Sequence, residues 1–180
     1  MNRRISINTL TALLAWLFAA AVQSASTDKF NEDVQEVITL FKQKDTGISK
    51  FFDKAYGYAV FPNVGKGGIG IGGAHGNGEV YEQGKLVGTA SLSQVTVGFQ
   101  LGGQVYAELV FFEDQPALNR FKESKFALSA QASAVAAAEG ASANAKYEMG
   151  VAIFTMAKGG LMYEASVGGQ KFKFIPLSKK

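Results

Sequence analysis

The chain contains no cysteine and only one histidine and one tryptophan among its 180 residues. The absence of cysteine excludes disulfides, thiolate zinc sites, a cysteine nucleophile and the lipidated cysteine of a bacterial lipoprotein. A single histidine, His75, excludes metal sites that need several imidazoles. Proline is also scarce, with three residues against 21 glycines, which is not the composition of a proline- and glycine-rich linker.

Charge of either sign is also limited. Charged residues make up 18% of the chain and hydrophobic residues 47%, a balance that predicts a globular protein rather than a disordered one. The formal net charge is +3, but without Arg3 and Arg4 the chain keeps 16 basic and 15 acidic residues. The electrostatic case for nucleic acid is then lost, and we predict no nucleic-acid partner.

The N-terminal segment has the pattern of a secretory signal peptide. Arg3 and Arg4 precede an apolar stretch over residues 10–22, and small residues follow it. The apolar stretch is too short to favour a permanent membrane span, although a retained N-terminal anchor is the alternative. We therefore expect a signal peptide over residues 1–25 and a single domain over 26–180. The expected location is the periplasm or the exterior of the cell.

The spacing of apolar residues predicts helices at the start of this domain and mostly strands after them. Apolar residues three and four apart predict an amphipathic helix over 27–44 and a short helix over 49–54. Asp114 with Pro116 predicts the start of another helix. Residues 126–141 are alanine-rich, as helices are, yet alternate in polarity, as strands do. The predicted strands are 58–61, 68–74, 79–82, 85–90, a long run over 94–112, 151–157, 161–167 and 170–175, with turns at 76–78 and 83–84.

Glycine alternates with isoleucine over residues 68–72, in a strand-like pattern. Each glycine weakens a strand by about 0.5–1 kcal/mol relative to alanine, a cost that is accepted where backbone must bend or be approached closely. We infer a strongly curved sheet with its core on the face of Ile69, Ile71 and Val95. The other, bare face would receive a packed helix or, alternatively, a ligand. The G-x-G-x-x-G match at residue 68 continues into strand rather than helix, so it does not predict a nucleotide site.

Residue patterns for catalysis are weak. The chain has no G-x-S-x-G motif, and nothing in the sequence places a serine beside His75. Glu79, Glu82 and Glu108 could form a carboxylate pair, but they are as easily solvated strand positions. We predict a protein that is not an enzyme and has no metal or cofactor.

Several motifs occur together in a fixed order. They are Phe61-Pro62-Asn63-Val64, the glycine run 67–73, Val97-Gly98-Phe99-Gln100-Leu101-Gly102-Gly103 and Lys158-Gly159-Gly160-Leu161. This set resembles the SYLF lipid-binding domain, also called the yeast-type actin-binding domain, over about residues 30–175. The resemblance implies an exported bacterial member with an α+β fold. Its mainly antiparallel, glycine-rich sheet would be strongly curved into a partial barrel, with packed helices that include the N-terminal amphipathic helix.

The resemblance also implies a binding module. Eukaryotic members bind phosphoinositide-rich membranes and some bind actin, but actin is not expected in a bacterial periplasm. We therefore expect a phospholipid or membrane surface, including anionic ones, as the partner in the cell envelope. The alternative is a structural protein, or one that binds another envelope protein, without a lipid ligand.

The predicted lipid site lies mainly on the first helix. Its apolar face would meet acyl chains, and nearby lysines would meet anionic head groups. The alternative for the apolar face is simple core packing. The predicted residues are Phe30, Val34, Val37, Ile38 and Phe41 for acyl chains, and Lys29, Lys42, Lys50, Lys54 and Lys66 for head groups.

Overall fold

The computed structural model describes residues 27–69, 71–97, 103–123, 127–128, 134–159 and 167–177. The chain divides into two compact units, Met1–Asp33 and Val34–Lys180. The first unit is described only over residues 27–33, which are helical. The predicted signal peptide and the predicted strand 161–167, apart from residue 167, lie outside the described residues. None of the described helices has the length and apolar content that a bilayer crossing requires.

The described chain forms helices and one seven-stranded sheet, which makes the domain α+β. The sheet order is β5-β6-β4-β1-β2-β3-β7, antiparallel throughout except for the parallel β5–β6 pair. The helices are α1 (27–44), α2 (Ser49–Lys54) and α3 (Gln115–Lys122), with 3-10 turns at Thr46–Ile48 and Ala141–Asn144. The strands are β1 (Gly57–Ile69), β2 (Ile71–Glu82), β3 (Lys85–Val97), β4 (Gly103–Phe112), β5 (Val135–Ala136), β6 (Val151–Gly159) and β7 (Lys171–Pro176).

Local signals correctly placed the three helices. The side chain of Asp114 accepts a hydrogen bond from the backbone N–H of Ala117 at 2.8 Å, and a proline occupies the first turn of α3. At the other end of α3, Lys122 Nζ lies 2.7 Å from Glu82 Oε2 on β2. The cap and the ion pair hold α3 against the sheet at both ends.

Two predicted strand breaks are wrong. Pro62 lies inside β1, at a bulge where the pairing shifts between Val60 and Asn63, and a bulge tolerates a residue that has no N–H to donate. The predicted turn at 76–78 lies inside β2. Gly78 is needed there because a Cβ would lie 2.5 Å from the carbonyl oxygen of Val60.

The predicted long strand 94–112 is also wrong, because its two described parts belong to different strands. The first part ends β3 at Val97, and the second part is β4, which begins at Gly103. β4 pairs with β1 and β6 rather than with β3. Alternation of polarity continues across the two strands, so the sequence pattern alone does not reveal the change.

Helices cover both faces of the sheet. On the face that we call inner, the ring of Phe112 lies 4.9 Å from that of Phe121 on α3. On the outer face, the ring of Phe111 lies 4.8 Å from that of Phe52 on α2. Phe111, Phe112 and Phe121 are fully buried, and each such side chain stabilises the fold by about 1.5–3 kcal/mol.

At the end of the sheet beyond the bulge at Pro62, the predicted position of the core is wrong. Val95 was expected to face the core, but its side chain is 76% exposed on the outer face. The neighbouring Leu92 and Gln94 point to the inner face and are buried. The core at this end is therefore on the side opposite to the one predicted.

The covalent chain shows that the sheet is curved. Ala127 pairs with Lys171 of β7, and Leu128 N–H bonds to the carbonyl oxygen of Gln170, whereas Val135 pairs with β6. In a flat sheet, seven strand spacings of about 4.8 Å would separate residues 128 and 135, or about 34 Å. Seven residues reach at most about 25 Å, so the sheet must bend. No pairing between β5 and β7 occurs among the described residues, so the strands do not form a closed barrel.

Candidate functional site

A pocket of about 520 Å³ opens on the outer face, at the end of the sheet where β1 begins. It lies entirely within the second compact unit and combines α1, α2, the start of β1 and the β2–β3 turn. We call it the α1–α2 pocket. Its lining residues are Gln35, Ile38, Lys42, Phe52, Asp53, Ala55, Gly57, Tyr58, Gln83 and Gly84.

Helix α1 supplies one wall because its apolar residues hold it in place. Val34, Val37 and Phe41 are fully buried and recur at helical spacing, so they fix which side of α1 faces inward. Gln35 Nε2 then donates a hydrogen bond to the hydroxyl of Tyr81 at 3.1 Å. The pocket wall is therefore part of the packed core, not a separate appendage.

A buried aspartate fixes the chain just beyond α1. Asp45 is fully buried, and its Oδ1 accepts hydrogen bonds from Gly47 N at 3.1 Å and Ser142 Oγ at 2.8 Å. Its Oδ2 accepts a third bond, from Ser142 N at 2.6 Å. A Cβ on Gly47 would lie 2.4 Å from Ser142 Oγ, so a larger residue there would displace the serine hydroxyl that bonds to this aspartate.

The β2–β3 turn forms the opposite rim of the pocket. Gln83 and Gly84 both have positive φ, 48° and 75°, as a two-residue hairpin turn of this type requires. The turn predicted at 83–84 is thus confirmed. Gly57 lies beneath the rim, where a Cβ would meet the carbonyl oxygen of Tyr81 at 2.6 Å.

The floor of the pocket is aromatic. The rings of Phe52 and Tyr58 meet edge to face at 5.1 Å, and Tyr58 stacks on Tyr81 at 4.9 Å. The hydroxyl of Tyr81 donates to Glu79 Oε2 at 2.5 Å. Burial, together with the nearby carboxylate of Glu79, raises the pKa of both tyrosines, so their hydroxyls stay protonated at neutral pH.

The pocket carries one positive and one negative side chain. Lys42 Nζ lies 4.6 Å from the ring centroid of Phe52, within cation–π range. Lys42 and Asp53, both described, form no ion pair with each other within 4.0 Å. The described residues also contain no group of three potential metal ligands. The pocket can therefore bind a group that has both polar and apolar parts.

The structure brings together two of the ten predicted lipid-site residues, Ile38 and Lys42, in this pocket. Three others on α1, Val34, Val37 and Phe41, are fully buried, which is the core-packing alternative. The remaining residues lie outside the pocket: Phe30 is partly exposed, Lys29, Lys50 and Lys54 are exposed, and Lys66 lies towards the other end of β1. Partial burial lowers the pKa of Lys66.

Sequence reasoning missed most of the pocket. Gln35 and Asp53 are polar residues on amphipathic helices, and nothing in their spacing separates a pocket wall from a solvated face. Tyr58 was assigned only to a strand. The Gln83-Gly84 turn was the one signal available, but it did not indicate which helix would lie beside it.

A second polar cluster lies on the inner face, closed off from solvent. Glu108 and Gln170 are fully buried, and Gln170 Nε2 donates to Glu108 Oε2 at 2.9 Å and to the hydroxyl of Tyr106 at 3.2 Å. Thr155 pairs with Glu108 across the strands. Glu108 Oε1, Gln170 Oε1 and Thr155 Oγ1 have no hydrogen-bond partner among the described residues.

Of the two alternatives left open for the three strand glutamates, the solvated one does not hold for two of them. Glu108 is fully buried, and burial raises its pKa to about 8, so it is a neutral acid at pH 7. Glu79 is only 3% exposed and accepts a hydrogen bond from Tyr81. Glu82 is partly exposed, and its bond with Lys122 lowers its pKa.

The fold and the pocket together define a small α+β domain with an amphiphilic surface pocket. Residues 93–174 match the family model Ysc84, described as "Las17-binding protein actin regulator". Over these residues the chain is similar to the Ysc84 (SYLF) family, and this match confirms the resemblance inferred from the glycine motifs.

A curated relative extends this similarity beyond the matched region. The chain is 28% identical over 149 residues to beta cell expansion factor A of Aeromonas veronii. The alignment covers 76% of this chain and 52% of the relative. The chain therefore spans about half the length of the curated relative that it matches.

Proposed function

We propose that this protein is a non-enzymatic lipid-binding module of the bacterial cell envelope. It would act in the periplasm or outside the cell after removal of residues 1–25. The observation that carries the proposal is the α1–α2 pocket, in which Lys42 and Asp53, not paired with each other, lie beside an aromatic floor. The similarity of residues 93–174 to a family of binding domains supports the same class of function.

The pocket suits the head group of a phospholipid. Its volume of about 520 Å³ falls within the usual range for small-molecule sites. A lipid phosphate would meet the ammonium of Lys42, and the amine of an ethanolamine head group would meet the carboxylate of Asp53. The glycerol and the first methylenes would then lie against Phe52 and Ile38.

The apolar face of α1 has a conditional role in this proposal. Val34, Val37 and Phe41 are buried in the described structure, so they could meet acyl chains only if α1 moved away from the sheet. The hydrogen bond from Gln35 to Tyr81 would be broken in such a movement. The curvature of the sheet also supports the proposed partial barrel, whose inner face the core fills.

Binding of a short-chain phosphatidylethanolamine, kept below its micelle concentration, tests the proposal. We expect Lys42→Gln to weaken binding by about fivefold, since an ion pair of this kind contributes on the order of 1 kcal/mol. Lys44→Gln is the matched control, because Lys44 is exposed on the same helix but does not line the pocket. The measurement is isothermal titration calorimetry, together with mass spectrometry of organic extracts of the purified protein.

Absence of both lipid in the extracts and calorimetric binding would refute the lipid function. It would favour the second candidate, a protein-binding module of the envelope. The family description supports that candidate, since it names a protein partner, Las17. Actin is not proposed as a partner of this chain, because actin is not expected in a bacterial envelope.

A further inference from the structure

The outer face of the sheet continues beyond the bulge at Pro62 into a second surface, distinct from the α1–α2 pocket. One row of paired residues crosses it, and a parallel row lies on each side of this one. We call these three rows the glycine face. The central row is Val105, Gly65, His75, Ser93 and Lys171, and the two rows beside it are Gly103, Gly67, Gly73 and Val95, and Asn63, Asn77, Ser91 and Lys173.

Two glycines of the glycine face are open in the described part of the chain. A Cβ added at Gly65 or Gly103 would meet no atom within 4 Å. The aliphatic side chains that the face carries point to solvent, with Val95 76% exposed and Val105 42% exposed. At these positions the face is shallow and partly apolar.

The charges of the glycine face have one sign. Lys171 is exposed in the central row, and Lys173 is exposed in the row beside it, where it pairs with Ser91. Lys158 extends towards the same row, with its Nζ 3.0 Å from Asn63 Oδ1. The described residues of the three rows include no aspartate or glutamate.

We propose that the glycine face docks the protein on the surface of an anionic lipid bilayer. Lys171 and Lys173 would meet the phosphates, and Val95 would enter the interfacial layer. Val95 lies on β3, directly beside β7, so it can approach the bilayer together with the two lysines. The inference rests on the proposed lipid function for the class of partner but uses none of the pocket residues.

Charge complementarity favours a bilayer over a second copy of the chain. In a two-fold symmetric dimer built on this face, the lysines of both copies would lie within one interface that has no acidic partner for them among its described residues. An anionic leaflet instead gives each lysine a phosphate. A single protein partner would need an acidic surface of its own, and failure of the wild-type protein to float with anionic vesicles would favour such a partner over a bilayer.

Flotation with phosphatidylcholine vesicles, with and without phosphatidylglycerol, tests the proposal. Each lysine near an anionic leaflet contributes a factor of about five, so Lys171→Gln with Lys173→Gln should weaken binding to anionic vesicles about 30-fold. The double variant Lys44→Gln with Lys85→Gln is the matched control, since it removes the same charge at two exposed sites off the face. Val95→Asp should weaken the binding that survives high salt.

Equal losses in the two double variants, or undiminished binding of the Lys171 and Lys173 variant, would overturn the proposal. So would a failure of the wild-type protein to float with anionic vesicles. A dimer in sedimentation velocity that Val95→Asp abolishes would identify a second copy as the occupant instead. Circular dichroism melting shows that each variant is folded before it is compared.

The proposals for the α1–α2 pocket and for the glycine face can be refuted independently of each other. If short-chain phosphatidylethanolamine does not bind but vesicle binding depends on Lys171 and Lys173, the pocket proposal is wrong and the docking face stands. If short-chain lipid binds and vesicle binding does not depend on these lysines, the docking proposal is wrong and the pocket proposal stands.

Discussion

The two ends of the outer sheet face are built from the same strands, yet they differ in almost every side chain. Before the bulge at Pro62, aromatic residues such as Tyr58 and Phe111 are covered by helices. Beyond it, glycines leave the backbone open, and Val95 faces solvent. Glycine serves two purposes in this one sheet, close packing against a neighbouring strand at some positions and exposure at others.

Gly78 and Gly65 represent these two purposes. A Cβ at Gly78 would meet the backbone of Val60 at 2.5 Å and the ring of Phe61 at 2.7 Å, whereas a Cβ at Gly65 would meet nothing within 4 Å. The first glycine is thus required by packing with distant residues. The second is not required by packing, which is why we assign it to a surface.

The largest expected effect tests this difference directly. We expect Gly78→Ala to lower the free energy of unfolding by about 3 kcal/mol, because the backbone at Val60 would have to shift. Gly65→Ala should change it by less than about 1 kcal/mol, and in the stabilising direction if the strand geometry suits alanine. Urea denaturation of both variants measures the contrast. Equal losses in the free energy of unfolding would show that close packing does not distinguish Gly78 from Gly65.

A pH-dependent effect concerns the inner face behind the bulge, where an acid lies opposite the lysine-bearing outer surface. The pKa of Glu108 is raised from 4.5 to about 8 in the folded protein. Between these values the folded state keeps a proton that the unfolded state releases. This carboxyl therefore makes stability fall as pH rises through that window, by at most about 1.4 kcal/mol per pH unit, and become level above it.

Glu108→Gln isolates this contribution, because the amide cannot ionise. We expect the difference in stability between wild type and variant to change with pH across the window and to be small at its acidic end. Urea denaturation at a series of pH values measures the slopes. Parallel slopes in the two proteins would mean that Glu108 is ionised in the fold, contrary to its burial.

The smallest effect tests the covered end of the outer face. Tyr81→Phe removes the hydroxyl that bonds to the buried carboxylate of Glu79 and accepts a hydrogen bond from Gln35. We expect a loss of about 1–2 kcal/mol in the free energy of unfolding. Hydrogen exchange of the α1 amides should rise more than that of β4, and an unchanged pattern would show that this bond does not hold α1.

Features encoded locally could be predicted from the sequence. Helices α1 and α3 follow from apolar spacing and from the Asp114 cap, and the 83–84 turn follows from two residues that tolerate positive φ. The α+β class and the resemblance to the SYLF family also followed, because the glycine motifs occur in a fixed order.

Features that depend on distant partners could not be predicted. Gly78 resembles a turn residue until Val60 is placed against it, and Glu108 resembles a solvated strand residue until Gln170 closes over it. The pocket has the same limitation, since Asp53 and Gln83 come together only after the sheet has formed.

The short connection between residues 128 and 135 has a mechanical consequence. It begins beside one edge of the sheet and ends beside the other. Its contour length therefore sets the greatest distance by which the two edges of the sheet can separate. A ligand too large for the filled interior could enter by an opening of the sheet only if this connection first detached from one edge. A longer connection would relax that limit without altering any residue of the core.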